Sequence, residues 1–325
     1  HRLCMLNNYR AKKLILQHSM NLLTYNHTIS SLFVLSGRLY QKNIIPILIL
    51  TAVLIAPAFL IGFAGMSEVE SIVFFLSVRV LEAGITLGII GTAFGRFFPA
   101  LGILRVFRSI ILLGTIHVAI LQYLLFITGV MGLTLPFPFN ILIIALWLGG
   151  LLLTSMSQPV FIVEGVRGIR AMIRSIQLAR GDLSRVFFVV VISTILQFIV
   201  FAVFFTLFMP EFNLNAEQNQ SSSLPIIMSE ILNDPEVHLA IRWSQYLASL
   251  LFYPFASLVT GLLYFDLASR QQVLNVDKLA QFSNRMFGTS LSETEESDKD
   301  DNEEIIEPAK VEVIDPEQVD ENKDK

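Results

Sequence analysis

The chain has 325 residues, of which 54% are apolar and 15% are charged, and its mean hydropathy is +0.63. This composition excludes an ordinary soluble protein, because several apolar runs reach the roughly 20 residues that a helix needs to cross a bilayer. It predicts an all-α, polytopic membrane protein. The single cysteine, Cys4, excludes an intrachain disulfide and a cysteine-based metal site.

The net charge of −4 combines two opposite parts. Residues 292–325 contain 15 acidic and four basic residues, a net charge of −11, so residues 1–291 carry +7. We predict a cytoplasmic segment at 1–28, a transmembrane domain at 29–287 and an acidic, disordered cytoplasmic tail at 288–325. His1 in place of methionine favours a fragment or a start at Met5.

Six apolar runs are predicted to cross the membrane as helices. In chain order, they lie at about 44–63, 71–94, 110–130, 140–163, 186–209 and 241–267. A shorter run at 29–43 has the pattern of an amphipathic helix that leads into the first span.

The basic residues predict how these spans are oriented. Lys and Arg concentrate in the N-terminal segment, in the second-to-third and fourth-to-fifth connectors, and after the sixth span. The other three loops hold none, and Arg242, at the outer end of the sixth span, is the exception. The positive-inside rule therefore predicts that both chain ends lie in the cytoplasm.

The fourth-to-fifth connector has the pattern of a helix that lies in the membrane interface. At about 100° per residue its polar and apolar residues separate onto two faces. The polar face holds Arg167, Arg170, Arg174 and Gln177. The apolar face holds Val166, Ile169, Met172, Ile173 and Ile176. The three arginines are candidates for binding anionic lipid headgroups, and the alternative is that they determine topology alone.

A basic amphipathic run precedes every second span, which suggests an internal repeat. Arg38, Arg108 and Arg180 mark these runs at intervals of 70 and 72 residues. Three copies of an interfacial helix followed by a two-helix hairpin would produce this spacing. The alternative is that any six-span protein that obeys the charge rule shows basic runs at these places.

The second span carries the best candidate for an intramembrane polar site. Arg79 and Glu82 lie three residues apart near its middle, so they share a helix face and are expected to pair. They form either a functional polar site or a structural ion pair.

A glycine stripe lies on the opposite face of the same span and permits close helix approach. It comprises Gly84, Gly88, Gly91 and, just beyond the span, Gly95. The stripe would serve a homodimer or packing within one chain equally well. In the third span, His117 is expected to be packed and hydrogen-bonded.

Two stretches carry a family resemblance. The first, 159–185, includes Glu164-Gly165, Arg174-Ser175 and Gly181, and the second, 254–270, has the run LLYFDL before Arg270. Together they resemble the membrane domain attached to some bacterial glycerophosphodiester phosphodiesterases, and related stand-alone six-span bacterial membrane proteins of unknown function.

The resemblance extends over about 29–279 and departs from the family at Ala268 and Gln271. It implies a bacterial cytoplasmic (inner) membrane location. It also marks Glu164, Ser175, Asp266 and Arg270 as motif residues of the cytoplasmic face. It does not imply phosphodiesterase activity, which belongs to a separate domain.

The sequence lacks the patterns that would point to catalysis. The five histidines are scattered, and there is no HExxH, GxSxG or GxxxxGK[ST] motif. We therefore expect no enzyme, cofactor, metal or nucleic-acid partner, with an intramembrane enzyme as the one catalytic alternative left open. Glu164 and Asp266 are expected to pair with connector arginines at the cytoplasmic face.

These observations favour a non-enzymatic membrane scaffold or lipid-interacting subunit. Its partners would be anionic lipids and a cytoplasmic protein that docks on Ile305-Ile306 or Val311–Ile314 of the acidic tail; the alternative is a solvated tail without a partner. The alternative is a small transporter or permease with a polar site at Arg79 and Glu82.

Overall fold

The computed structural model describes residues 27–94, 98, 102–104, 110–132, 134–208 and 235–287. Helices account for the regular secondary structure of these residues, and we number them in chain order. They are α1 (Ile29–Lys42), α2 (Ile44–Phe63), α3 (Ser67–Ala93), α4 (Ile110–Gly132), α5 (Phe139–Leu153), α6 (Ser157–Glu164), α7 (Ile169–Arg180), α8 (Leu183–Phe208), α9 (Pro235–Arg270) and α10 (Val276–Phe287).

Six helical segments of the described residues are long and apolar enough to cross a membrane. They are α2, α3, α4, α5 together with α6, α8 and α9. The six predicted spans are therefore confirmed, and the protein is a multi-pass membrane protein by the length and composition of its helices. The largest difference in bounds is at α9, which begins at Pro235 rather than near 241.

Consecutive spans run in opposite directions and form hairpins, so their connections gather at two ends of the bundle. The pairs α2–α3, α4–α5 and α8–α9 pack against each other. We call the end with α1, α7, α10 and the connector 165–182 the connector end. The other end, with loops 64–66 and 134–138, is the hairpin-loop end.

Five spans form a closed ring of contacts in the order α3, α4, α5, α8 and α9, with α9 returning to α3. α2 packs outside the ring against α3 and α9, and α6 contacts α3, α4 and α9 from inside. Residues Ser157 to Ile162 of α6 are all buried, so this short helix fills the ring near the connector end. Buried apolar side chains of α3, α6 and α9 pack together in the core of the bundle.

α3 and α9 cross closely because one contact position has no side chain. A Cβ atom on Gly261 would lie 2.6 Å from the Cδ1 atom of Ile89, so any larger residue would force the Ile89 side chain to move. The glycine stripe predicted on α3 is likewise used within the chain. Gly84, Gly88 and Gly91 are buried, and a Cβ atom on Gly88 would lie 1.9 Å from the ring of Phe98. These three glycines are therefore not available as a homodimer surface, and Gly95 lies outside the described residues.

The helix predicted at 29–43 is present as α1. Thr28 caps its first turn, since its hydroxyl accepts a hydrogen bond from the backbone N–H of Ser31 at 3.2 Å. Leu32, Ser36 and Leu39 are buried, while Val34 is exposed. Tyr40 donates a hydrogen bond to the Leu251 carbonyl at 3.0 Å and so ties α1 to α9.

Two features were not predicted. The fourth span is interrupted by a turn at 154–156, which separates α5 from α6. α10 follows the sixth span, and Leu279 and Ser283 are its buried residues. The internal repeat stays a prediction, because its second basic run lies largely outside the described residues. The acidic tail, residues 1–26 and the loop 209–234 also lie outside them.

Candidate functional site at the connector end

α7 lies across the connector end, where it contacts α4, α5, α6, α8 and α9. The chain reaches it through two glycines with left-handed backbone conformations, Gly165 at φ 71° and Gly168 at φ 60°. Gly165 follows the last residue of α6, and its N–H donates to the Phe161 carbonyl at 3.0 Å. These glycines allow a short reversal that side chains with a Cβ would strain.

One face of α7 attaches the helix to the bundle. Ala171, Ser175, Leu178 and Ala179 are buried on it. The hydroxyl of Ser175 donates to the Leu153 carbonyl at 2.7 Å, and Gln271 donates to the Leu178 carbonyl at 3.2 Å. Ser175, a predicted motif residue, is thus an anchoring residue for α7.

The remaining surface of α7 is open and combines apolar and basic side chains. Ile169 is 62% exposed and Ile173 is 49% exposed. Arg170 on α7 is exposed, and so is Arg167, which lies before the helix and, because Gly168 turns the chain, not on its polar face as predicted. Neither has an ion-pair or hydrogen-bond partner among the described residues. The predicted apolar face therefore includes two isoleucines that the protein itself leaves uncovered.

Arg174 differs from the other two arginines because it is engaged inside the protein. Its Nε atom lies 2.9 Å from Oε2 of Glu164 at the end of α6. Tyr264 of α9 donates to Oε1 of the same carboxylate at 3.1 Å. Glu164 therefore links α6, α7 and α9, as the expected pairing with a connector arginine requires, and Arg174 is less free to bind a ligand.

Asp266 is the centre of a second cluster, and its carboxylate is completely buried. Oδ1 accepts the backbone N–H of His27 at 2.8 Å. Oδ2 accepts hydrogen bonds from the guanidinium of Arg185 and from Nε of Arg270 at 3.1 Å. Arg185 and Arg270 also donate to the His27 carbonyl, at 2.6 and 3.2 Å. The buried charge is thus paired and fully hydrogen-bonded.

This cluster includes residues that the sequence reasoning missed. Arg270 was a predicted motif residue, but Arg185 and the backbone of His27 were not identified. Asp182 lies 3.7 Å from Nε of Arg185, so the spacing Asp182-x-x-Arg185 at the start of a span was a usable signal. The His27 contact comes from a residue 239 positions away in sequence, and no local pattern indicates it.

The expected intramembrane pair is present in α3. Nη1 of Arg79 lies 2.8 Å from Oε2 of Glu82, and the guanidinium lies 5.0 Å from the ring centroid of Phe75. The Arg79 side chain is 23% exposed and that of Glu82 is 6% exposed. Whether this pair has a function beyond packing stays a prediction.

Backbone carbonyls at the turn that interrupts the fourth span accept hydrogen bonds from polar side chains of neighbouring helices. Gln122 of α4 donates to the Thr154 carbonyl at 2.8 Å, and Gln158, just after the turn, ties α6 to α4 by donating to the Thr115 carbonyl at 3.2 Å. Ser175 of α7 provides the bond to Leu153 described above. Non-helical backbone at membrane depth requires such partners, so α4 and α7 together stabilise the break.

Arg242, the exception to the charge rule, is paired at the hairpin-loop end. It donates to the Gly62 carbonyl at 2.5 Å, and its Nη2 lies 3.8 Å from Oε2 of Glu70. Tyr246 donates to Oε1 of Glu70 at 2.6 Å. The basic charge of Arg242 is therefore offset locally by an acidic residue.

The expectation that His117 is packed inside the bundle is wrong. It is exposed rather than packed, and it lies beside Gly168 at the start of α7. The reason is its position in the second turn of α4, near the connector end rather than in the middle of the bundle. Among the described residues, no group of three or more His, Cys, Asp or Glu side chains could hold a metal ion.

Comparison with known proteins adds no assignment: no protein-family model, curated protein or solved structure matches this chain. The resemblance to the membrane domain of glycerophosphodiester phosphodiesterases therefore stays a prediction.

Proposed function

We propose that the protein is a non-enzymatic membrane scaffold or lipid-interacting subunit, and that α7 is the element that holds anionic lipid. The exposed surface of α7 carries this proposal. Arg170 and, just before the helix, Arg167 offer guanidinium groups that no described residue pairs, while Ile169 and Ile173 offer apolar area beside them. A helix with this combination lies in the interface with its isoleucines in the acyl boundary and its arginines at the phosphates.

The attachment of α7 to the bundle supports a fixed lipid site rather than a loose connector. Its buried face, the Ser175 hydrogen bond and the Glu164–Arg174 ion pair fix the helix on three neighbouring helices. The backbone that carries the two exposed arginines consequently has a set position. A phosphate bound there costs less backbone entropy than one bound to a loose connector.

The proposal places the connector end in the cytoplasm of a bacterial cell, with the spans in its cytoplasmic membrane. The distribution of Lys and Arg supports this orientation, with Arg242, which pairs with Glu70, as its one exception. The acidic segment 288–325 then lies on the same side as α7. There it is proposed to dock a cytoplasmic protein.

Lipid titration with a thermal readout tests the role of α7. The purified protein is mixed with phosphatidylglycerol or with phosphatidylcholine, and its melting temperature is followed. We expect phosphatidylglycerol to raise the melting temperature more, because it binds the folded state. The Arg167→Gln/Arg170→Gln variant should lose this difference, and Arg38→Gln, an exposed arginine on α1, is the matched control. Equal shifts for both lipids in the unmodified protein would reject the proposal.

Transport is the second candidate, and the interrupted fourth span favours it. Broken spans near the middle of a bundle line substrate sites in many transporters. A transporter must expose such a segment to water, whereas a lipid-holding scaffold need not. Thr154 is buried here, so a Thr154→Cys variant in a Cys4→Ser background should resist a membrane-impermeant maleimide if the scaffold reading is right. Rapid labelling of the folded protein would favour transport.

A further inference from the structure

The exposed surface around α7 and α10 carries positive charge that the described residues do not offset. Five exposed basic side chains there have no ion-pair partner in the described part of the chain. They are Arg167, Arg170, Arg180, Lys278 and Arg285. Of the acidic residues described at this end, Glu164, Asp182 and Asp266 already pair with arginines. Asp277 is the exposed acidic residue that remains there, so the surface is basic.

The segment that follows α10 carries the opposite charge. Residues 293–304, which we call the acidic run, contain eight acidic residues and one lysine, a net charge of −7. The run begins six residues after Phe287, the last residue of α10, and Ile305-Ile306 follow it directly. A strongly acidic stretch is therefore tethered to the basic end of the bundle.

The tether is long enough to bring the acidic run to α7. Gln271, just after α9, donates to the Leu178 carbonyl of α7 at 3.2 Å. Phe287 lies 16 residues further along the chain, and 12 of these residues form α10. At helical and extended rises, the end of α10 lies within about 40 Å of that contact. Residues 288–304 span up to about 55 Å when fully extended, so the run reaches α7.

The pattern of the segment matches the exposed surface of α7 better than that of α10. At α7, Arg167 and Arg170 accompany Ile169, which is 62% exposed, and Ile173, which is 49% exposed. A segment with many carboxylates followed by two isoleucines complements this combination.

The apolar side chains of α10 are engaged instead. Phe282, Met286 and Phe287 pack against the core of the bundle, so the basic residues of α10 have no uncovered apolar neighbours on the same helix. Charge alone would draw the acidic run to either helix, but Ile305-Ile306 find an apolar surface on α7.

The covalent tether makes weak contacts between the two surfaces effective. A single exposed ion pair contributes little, because water and salt screen it. A linked segment, however, acts at an effective concentration on the order of millimolar. Several weak pairs formed together are then sufficient to hold the segment on the helix for much of the time.

We propose that residues 293–306 dock on the exposed surface of α7 and compete there with anionic lipid. The competition rests on the proposed lipid site, because Arg167, Arg170 and the two exposed isoleucines would serve both ligands. A cytoplasmic protein that binds Ile305-Ile306 would draw the segment away from α7 and free the helix for lipid. The tail would thereby couple the docking of a partner to the binding of lipid.

Double electron–electron resonance tests the docking in a neutral detergent that contains no anionic lipid. Spin labels are attached to Gln177→Cys, an exposed position on α7, and to Ala309→Cys, just beyond the docking segment, in a Cys4→Ser background. We expect a population of short distances between the two labels at low salt.

Three variants of the full chain identify what holds the segment. Conversion of the eight Asp and Glu residues of the acidic run to Asn and Gln should abolish the short distances. Arg167→Gln/Arg170→Gln should abolish them as well. Conversion of the six acidic residues at 312–324 is the matched control and should leave the short distances in place.

Three results of this measurement would overturn the docking. The first is the same distance distribution in the unmodified protein and in the variant with a neutral acidic run, as a solvated segment would give. The second is the survival of the short distances in Arg167→Gln/Arg170→Gln, which would place the segment elsewhere. The third is short distances that arise only between singly labelled molecules in a mixture, which would place the segment on a second copy.

The phosphatidylglycerol titration described above tests the competition. Neutralisation of the acidic run should lower the lipid concentration at half of the thermal shift about threefold or more, as expected when the segment covers α7 in two-thirds of the molecules. The difference should vanish at about 1 M salt, where the Debye length is ~3 Å. Equal titrations of the two proteins at low salt would overturn the competition. The absence of any preference for phosphatidylglycerol in both proteins would instead reject the lipid site itself, a failure that the lipid-free distance measurement does not share.

Discussion

The guanidinium of Arg185, at the start of α8, donates a hydrogen bond to the buried carboxylate of Asp266, near the end of α9. The two residues are 81 positions apart, and the same guanidinium also binds the backbone carbonyl of His27. One ion pair thus joins the entry to the fifth span, the exit of the sixth span and the segment that leads into α1. We infer that this pair fixes the arrangement of the connector end, on which the position of α7 depends.

Replacement of Asp266 by Asn should destabilise the protein strongly. The change leaves Arg185 and Arg270 without their shared carboxylate, and breaking a buried ion pair costs about 3–5 kcal/mol. Denaturant unfolding in detergent micelles measures the change in the free energy of unfolding. Glu68→Gln is the matched control, since Glu68 is exposed in the first turn of α3. A loss no greater than that of the control would show that the cluster contributes little.

The Glu164–Arg174 ion pair should show energetic coupling in a double-mutant cycle. We expect Glu164→Gln and Arg174→Gln to destabilise the protein less in combination than the sum of the two single changes, by about 0.5–3 kcal/mol. The unfolding free energies of the four proteins give this coupling. Purely additive losses would mean that the contact does not help to hold α7 on α6.

Gly88 should not tolerate even a methyl group. A Cβ atom at this position overlaps the ring of Phe98, so Gly88→Ala should cost about 1–3 kcal/mol by overpacking. Gly37 of α1 provides the control, because no atom lies within 4 Å of a Cβ placed there. Gly37→Ala should be neutral or stabilising by up to about 1 kcal/mol, as in an open helix position. Similar melting temperatures for the two variants would contradict the packing described for α3.

The spans could be predicted from the sequence because each is a long apolar run, a property that does not depend on neighbouring helices. The pairing of Arg79 with Glu82 could be predicted for a similar reason, since a spacing of three residues on one helix decides it. In both cases the relevant information lies within one continuous stretch of chain.

The break at 154–156 could not be predicted in this way. Thr154, Ser155 and Met156 lie within an apolar stretch, and the groups that stabilise the break, Gln122 and Ser175, belong to other helices. The three arginines of the connector also looked equivalent in sequence. Only the position of Glu164 at the end of α6 separates the engaged Arg174 from the exposed Arg167 and Arg170.

The decisive experiment for the lipid-binding role of α7 is native mass spectrometry of the protein extracted gently from its own membrane. We predict that the unmodified protein and Arg38→Gln both retain anionic lipid, and that Arg167→Gln/Arg170→Gln loses it while remaining folded. Retention of the same lipid by the double variant would contradict the proposed role of α7, and so would an unmodified protein that carries no anionic lipid.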